Sequence, residues 1–165
     1  MEIERKWLLS KEKIPYKLSL LKKEEIEQAY ISFSPVIRVR SVDSKRFILT
    51  VKGFKSDDSL AREENEIEIT AAQYASLLKK SEGVIIRKTR YYHQREDFLI
   101  EEIDIFHGDY EGLAYLEIEF GSVEDAVKFK QPEWVKQDVT NIRCYGNGSL
   151  AENRLSVDEL NKGDV

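Results

Sequence analysis

Apolar and polar residues alternate one for one along much of this chain. In the opening stretch Glu2–Leu8 (EIERKWL), Glu2, Glu4 and Lys6 fall on one parity and Ile3, Arg5 and Trp7 on the other. Successive side chains of a strand point to opposite faces, so this pattern predicts a strand. The same period predicts seven more, at Gln28–Phe33, Val36–Val42, Arg46–Gly53, Arg62–Thr70, Val84–Gln94, Asp97–Phe106 and Ala114–Phe120. Helical patterns are fewer. Pro15–Gln28 can hold a helix, and Thr70–Ser81 (TAAQYASLLKKS) begins on a threonine suited to an N-cap. Ser122–Lys130 (SVEDAVKFK) sets Ser122 three residues before Asp125 in a capping-box arrangement, and Ser149–Asn161 reads as a final amphipathic helix. Many strands, hairpin connections and few helices predict a mainly β (α+β) fold, an antiparallel sheet or barrel with helices on its outside. No repeat, low-complexity tract or linker interrupts the chain, so residues 1–165 are expected to form one domain.

The residues on the polar parity narrow the picture. Arg38 and Arg40 share a face against Ile37 and Val39, and Thr50 and Lys52 oppose Leu49 and Val51. Arg62, Glu64, Glu66 and Glu68 lie together, as do Lys88 and Arg90. Glu102 and Asp104 oppose Ile103 and Ile105, while Glu117 and Glu119 oppose Leu116, Ile118 and Phe120. In any single strand such alternation describes a half-buried sheet with a solvated outer face. Taken together, these faces differ from a solvated surface in two ways. They are almost purely ionisable, with little Thr, Ser, Asn or Gln, and the charges come in same-sign pairs, which repel. Paired carboxylates suit hard divalent cations, and paired Arg and Lys suit phosphate oxygens. Both kinds facing one enclosed space describe a site for a metal–polyphosphate complex.

Composition sets the limits. With 165 residues, 41% of them hydrophobic and 35% charged, the chain is long enough for a sizeable core and too apolar for disorder. A net charge of −5 argues against a general nucleic-acid binder, though a local basic pocket can still take an anionic ligand. No apolar run is long enough to span a membrane, and MEIERKW lacks the basic and apolar regions of a signal peptide. Cys144 is the single cysteine, so no internal disulfide can form, and a reducing cytoplasm is expected. No glycine-rich phosphate loop is present. His93 and His107 lack metal-ligand spacing, and Trp7, Trp134 and the tyrosines are assigned to packing.

In order along the chain, these motifs resemble those of the CYTH superfamily, the triphosphate tunnel metalloenzymes. Glu2-Ile3-Glu4-Arg5-Lys6 is similar to the ExExK signature. It is followed by Arg38-Val39-Arg40, Thr50-Val51-Lys52-Gly53, Arg62-Glu63-Glu64-Asn65-Glu66 and Lys88-Thr89-Arg90-Tyr91. Then come Asp104-Ile105-Phe106 with Gly112-Leu113, Glu117-Ile118-Glu119, Val139-Thr140 and Asn147-Gly148-Ser149-Leu150. One position departs: Cys144 stands before Tyr145 where the family often has arginine, with Arg143 one residue earlier, so no substrate contact is carried over from that tail. The resemblance implies an eight-stranded antiparallel closed β-barrel, a tunnel with a charged interior. It also implies triphosphate substrates and a divalent cation, Mg²⁺ or Mn²⁺.

On that resemblance Glu2, Glu4, Glu117 and Glu119 are the candidate metal ligands, because the first and last strands become neighbours when a barrel closes. Arg38, Arg40, Lys52, Lys88 and Arg90 are the candidate phosphate contacts. Lys6 resembles the family lysine near the scissile phosphate and is both a substrate contact and a catalytic candidate. Glu64, Glu66 and Asp104 are candidates for orienting the cations or a water, whereas Glu68 falls near a strand end and is left out. The expected chemistry is in-line attack of water on a terminal phosphorus, with the protein positioning and neutralising. The opening EIERKWLL resembles that of the small bacterial tripolyphosphatases more than that of the cyclases, which favours hydrolysis of inorganic tripolyphosphate to pyrophosphate and phosphate, with ATP or thiamine triphosphate as lesser substrates. The alternatives are a class IV type adenylate cyclase, a nucleoside or thiamine triphosphatase, a non-catalytic polyphosphate or nucleotide binder, and a lipocalin-like barrel for an apolar ligand. The paired acids argue against the binder and the charged parity against the lipocalin. Sparse helical cover on the outer face leaves room for a homodimer.

Overall fold

The computed structural model describes residues 2–53 and 61–163, without the side chains of Ala61 and Arg62. The elements in chain order are β1 (Glu2–Leu8), β2 (Lys22–Phe33), β3 (Val36–Val42), β4 (Arg46–Lys52), β5 (Ala61–Arg62), β6 (Glu64–Ile69), α1 (Ala71–Leu78), β7 (Glu82–Gln94), β8 (Ile100–His107), β9 (Ala114–Glu119), α2 (Val123–Lys128), β10 (Gln137–Asp138), α3 (Asn147–Ala151) and α4 (Val157–Lys162). The fold is mainly antiparallel sheet with few helices, as the alternation predicts. The strands lie in the order β10-β1-β9-β8-β7-β2-β3-β4-β6, with β5 off this path and paired to β1.

The expectation of a closed eight-stranded barrel is only partly borne out. The predicted strand Arg62–Thr70 is split at Glu63. Its first residues pair with β1 (Glu2↔Arg62, Ile3↔Ala61), and its remainder pairs with β4 from Phe47↔Ile69 to Lys52↔Glu64. Among the described residues, no ladder joins β6 to β1. Across that seam Lys52 Nζ reaches Glu2 Oε2 at 2.9 Å and Glu64 Oε2 at 3.3 Å, so ion pairs stand where a ladder would close a full barrel.

Three other expectations are corrected. Pro15–Gln28 is not a helix: after a 3-10 turn at Leu18–Leu20 the chain extends from Lys22. Lys, Glu and Gln favour a helix there, but β2 pairs with β3 on one side and β7 on the other, and these two ladders override local propensity. The strand expected from Asp97 begins at Ile100, because Phe98 sits in a turn at φ 66°. The tail is two helices rather than one, since Asn153 turns left-handed at φ 54° and a new capping box, Ser156 with Glu159, starts α4. The other helix signals hold. Thr70 caps α1 in a full box with Gln73, and Ser122 accepts from the Asp125 N–H at the start of α2. No helix among the described residues is long and apolar enough to cross a membrane.

The apolar parity faces outward and is covered over most strands, while Val51 of β4 and Ile67 of β6 stay exposed. Ile3, Trp7, Ile103, Ile105, Leu116 and Ile118 pack with Ala126 of α2, while Ala29 and Val39 pack with Tyr74 of α1. A third core has a different origin. Leu8, Tyr30, Ile86, Phe106 and Tyr115 pack against Tyr145, Leu150, Ala151 and Leu160 of the tail. Each of those five strand residues lies two positions from Lys6, Gln28, Lys88, Asp104 or Glu117 and so shares its face. Over five strands the inward lining therefore changes from polar to apolar at one level, and the tail seals the apolar end. Gly83, at φ 69°, lets α3 come this close: a Cβ there would fall 2.0 Å from the Ala151 carbonyl oxygen.

Candidate active site

The polar parity opens onto a cavity of about 520 Å³. The sheet places cations and carboxylates on facing walls. On one side β3, β4 and β7 present Arg38, Arg40, Lys52, Lys88 and Arg90, and on the other β1 and β9 present Glu2, Glu4, Glu117 and Glu119. Glu64 and Glu66 of β6 line the same space. Register sets the neighbours within each wall: Glu4 lies beside Glu119 and Lys6 beside Glu117 on the β1–β9 ladder, and Arg90 beside Asp104 on the β7–β8 ladder. Of the predicted site residues, Lys6 and Asp104 do not line the cavity. They lie behind it, 7% and 0% exposed.

Glu64 and Glu66 orient the arginines. Arg38 Nη2 donates to Glu64 Oε1 at 3.1 Å, and Arg40 Nη2 to Glu66 Oε1 at 3.2 Å, while Thr50 Oγ1 fixes Glu66 at 2.8 Å. This leaves the Nε–H of both arginines buried and without a hydrogen-bond partner. A buried donor of that kind favours an acceptor oxygen. Asp104 anchors the opposite pair: Arg90 donates to it through Nε and Nη2, each at 2.7 Å, and Lys88 Nζ also donates to it. Arg90 further contacts Glu102 and Glu117.

Burial and these partners set the protonation of the site. Lys6 keeps its proton more firmly than a free lysine despite burial, because Glu117 at 2.9 Å and Glu4 at 3.7 Å face it. Lys88 is shifted the other way by burial and the adjacent Arg90. Glu117, although buried, is held well below the carboxylate range by Lys6, Arg90 and Lys88. Glu4 is pushed upward by burial and by the charges of Glu117 and Glu2. Glu64 rises to about 7 through burial and its hydrogen bond with Glu2. Glu102 rises to about 7 through burial and Glu117, with Arg90 opposing.

Six polar lining residues are not among the sequence candidates: Glu24, Gln28, Arg46, Tyr92, Glu102 and Asn147. Glu24 lies in the stretch expected to be helical, and Gln28 stands where that stretch meets the predicted strand Gln28–Phe33, an uncharged side chain outside the same-sign pairs. Glu102 shares the parity of Asp104, so its signal was present. Tyr92 continues the Lys88–Arg90 face and donates to Glu24 Oε2 at 2.6 Å, whereas Asn147 reaches the cavity only because α3 folds back.

Residues 1–144 match the CYTH domain. The chain belongs to the CYTH family. It is 39% identical over 155 residues to the inorganic triphosphatase of Acetivibrio thermocellus, covering 92% of this chain and 94% of that one. It is 32% identical over 153 residues to the inorganic triphosphatase of Nitrosomonas europaea, covering 91% and 96%. A solved structure of an inorganic triphosphatase superposes with a TM-score of 0.67 at 30% identity, over 92% of this chain and 95% of that one.

Among the described residues, no three acidic, histidine or cysteine side chains gather into a ligand cage. Glu2 is turned to Lys52, and Glu117 to Lys6 and Arg90. Glu4 is half-buried and has a single ion pair, at 3.7 Å with Lys6, and Glu119 lies directly across the ladder. Two hard oxygen donors fit a hard divalent cation, since such ions can take one or two carboxylates and complete their shell with water and substrate phosphate.

Proposed function

We propose that this CYTH protein is an inorganic triphosphatase that hydrolyses tripolyphosphate to pyrophosphate and phosphate with Mg²⁺ or Mn²⁺. The observation that carries this reading is the facing of unpartnered arginine N–H groups and undercompensated carboxylates across one cavity. Arg38, Arg40, Lys52, Lys88 and Arg90 neutralise the phosphate chain, with the Nε–H groups of Arg38 and Arg40 donating to its oxygens. Glu4 and Glu119 are the primary metal ligands, with Glu2 and Glu117 beside them. A cation held by these carboxylates would supply Lewis-acid activation of the substrate. Asp104 and Glu66 position the cations, and Lys6 holds Glu117 and Glu4 in place from beneath the lining. Glu64, raised to about 7, is the carboxyl suited to exchange a proton with an attacking water near neutral pH.

Among the described lining residues only Ile26, Val42 and Tyr92 offer apolar surface, which favours an inorganic triphosphate over a nucleotide and disfavours an apolar ligand. The test is phosphate release from tripolyphosphate with Mg²⁺, with Mn²⁺ and with chelator, beside ATP and thiamine triphosphate. Metal-dependent release that prefers tripolyphosphate is expected. Cyclic AMP formed from ATP, or tight binding of tripolyphosphate without release, would overturn hydrolysis as the function.

A further inference from the structure

β2 runs through the middle of the cationic wall, between β3 and β7, yet supplies no cation to its centre. Its inward residues there are Ile26 and Gln28. Gln28 is 1% exposed, lines the cavity and pairs across the ladders with Arg40 and Ile86. Its carboxamide nitrogen is buried without a hydrogen-bond partner. The next inward residue on β2, Tyr30, belongs to the apolar floor, so Gln28 is the last polar group before that floor. At the same end α3 approaches β2: a Cβ on Gly148 would lie 3.6 Å from the Tyr30 ring. Beside Gly148, Asn147 lines the cavity, and its amide oxygen is also buried and unpartnered. A half-turn of that amide presents N–H to the cavity instead.

Leaving a buried amide unsatisfied is destabilising in a ligand-free chain, and a leucine of similar volume would avoid the cost. A ligand that accepts hydrogen bonds gives the amide a role. A glutamate at this place would repel phosphate, and a lysine would add to the crowding of Arg38, Arg40 and Lys88. A neutral donor avoids both. Resting on the reading of the cavity as a triphosphate site, we propose that Gln28 is a substrate-binding residue that donates its amide N–H to a phosphate oxygen at the floor of the cavity, with Asn147 as the second amide donor.

The experiment compares wild type with Gln28→Leu, Gln28→Glu and Asn147→Ala. It measures steady-state kinetics on tripolyphosphate, and the thermal midpoint with and without tripolyphosphate in chelator. Loss of one hydrogen bond to a charged group should raise KM of Gln28→Leu roughly ten- to a hundredfold, with kcat changed less than about threefold. Its ligand-free midpoint should be equal to or above wild type, because the orphaned amide is gone. Gln28→Glu should fold, paired with Arg40, and lose the tripolyphosphate-induced shift, while Asn147→Ala should raise KM by a smaller factor. A structural role alone would move the ligand-free midpoint and leave KM where it was. Wild type that hydrolyses tripolyphosphate with Gln28→Leu unchanged in KM overturns this contact and leaves the proposed function standing. Wild type that binds tripolyphosphate without hydrolysing it, with the shift weakened in Gln28→Leu, supports the contact and overturns the hydrolase reading. Wild type that shows no shift overturns both.

Discussion

Asp104→Asn removes a fully buried carboxylate that holds both Lys88 and Arg90 and keeps nearly the same shape. Asparagine can still accept a hydrogen bond, but the two buried cations lose the charge between them. Arg90 retains Glu102 and Glu117, whereas Lys88 has no other ion pair among the described residues. Breaking a buried pair by removing one partner costs about 3–5 kcal/mol. For a chain of 165 residues, each kcal/mol lowers the midpoint by about 2–4 °C, so the fall should be roughly 6–20 °C. The assay is thermal unfolding without ligand, repeated with tripolyphosphate in chelator. Because the variant leaves cations undercompensated, the polyanion should raise its midpoint more than it raises that of wild type. A fall below about 3 °C, or an equal ligand-induced shift in both proteins, would refute the role of Asp104 as the counter-charge of this wall.

Glu4→Gln should separate stability from turnover. It relieves a carboxylate raised by burial and Glu117, so the ligand-free midpoint should hold or rise, while metal-dependent phosphate release falls about a hundredfold or more. Phosphate release within tenfold of wild type would remove Glu4 from the metal site. Glu64 and Glu102 predict a pH dependence. Both are raised from 4.5 to about 7, so the folded chain keeps protons that the unfolded chain has released. That stabilisation is complete below about 4.5 and is lost as pH rises through about 7. The ligand-free midpoint should therefore fall across this window, and Glu102→Gln should flatten the fall in calorimetry at a series of pH values. Gly83→Ala places a methyl against the Ala151 carbonyl at a left-handed backbone position. It should cost about 2–4 kcal/mol in urea unfolding, with faster hydrogen exchange in α3 than in α1.

Period-two alternation is a local property, so the sequence by itself determined the parity on which each charge falls and the strand character of β1, β3, β4 and β7. The hydrophobic periodicity and cap residues of α1 and α2 were equally local, since Thr70 and Ser122 satisfy N–H groups only three residues away. Lys22–Gln28 was not legible in the same way. Its Lys, Glu and Gln side chains are good helix formers, and only pairing with two strands distant in sequence holds it extended. For the same reason Glu24 could not be assigned to the cavity. Where along the polar face each residue sits was also decided by tertiary structure. Lys6 and Asp104 share the parity of the lining but are covered by Glu117, Lys88 and Arg90, because charges at this density neutralise one another in layers once the faces meet. Closure depended on packing as well: β5 and β6 divide at Glu63 between two partners, and Lys52 with Glu2 and Glu64 spans the seam. Asn147 reached the site through the apolar docking of the tail on Tyr30, Ile86 and Phe106, a contact between segments far apart in the chain that no local pattern encodes.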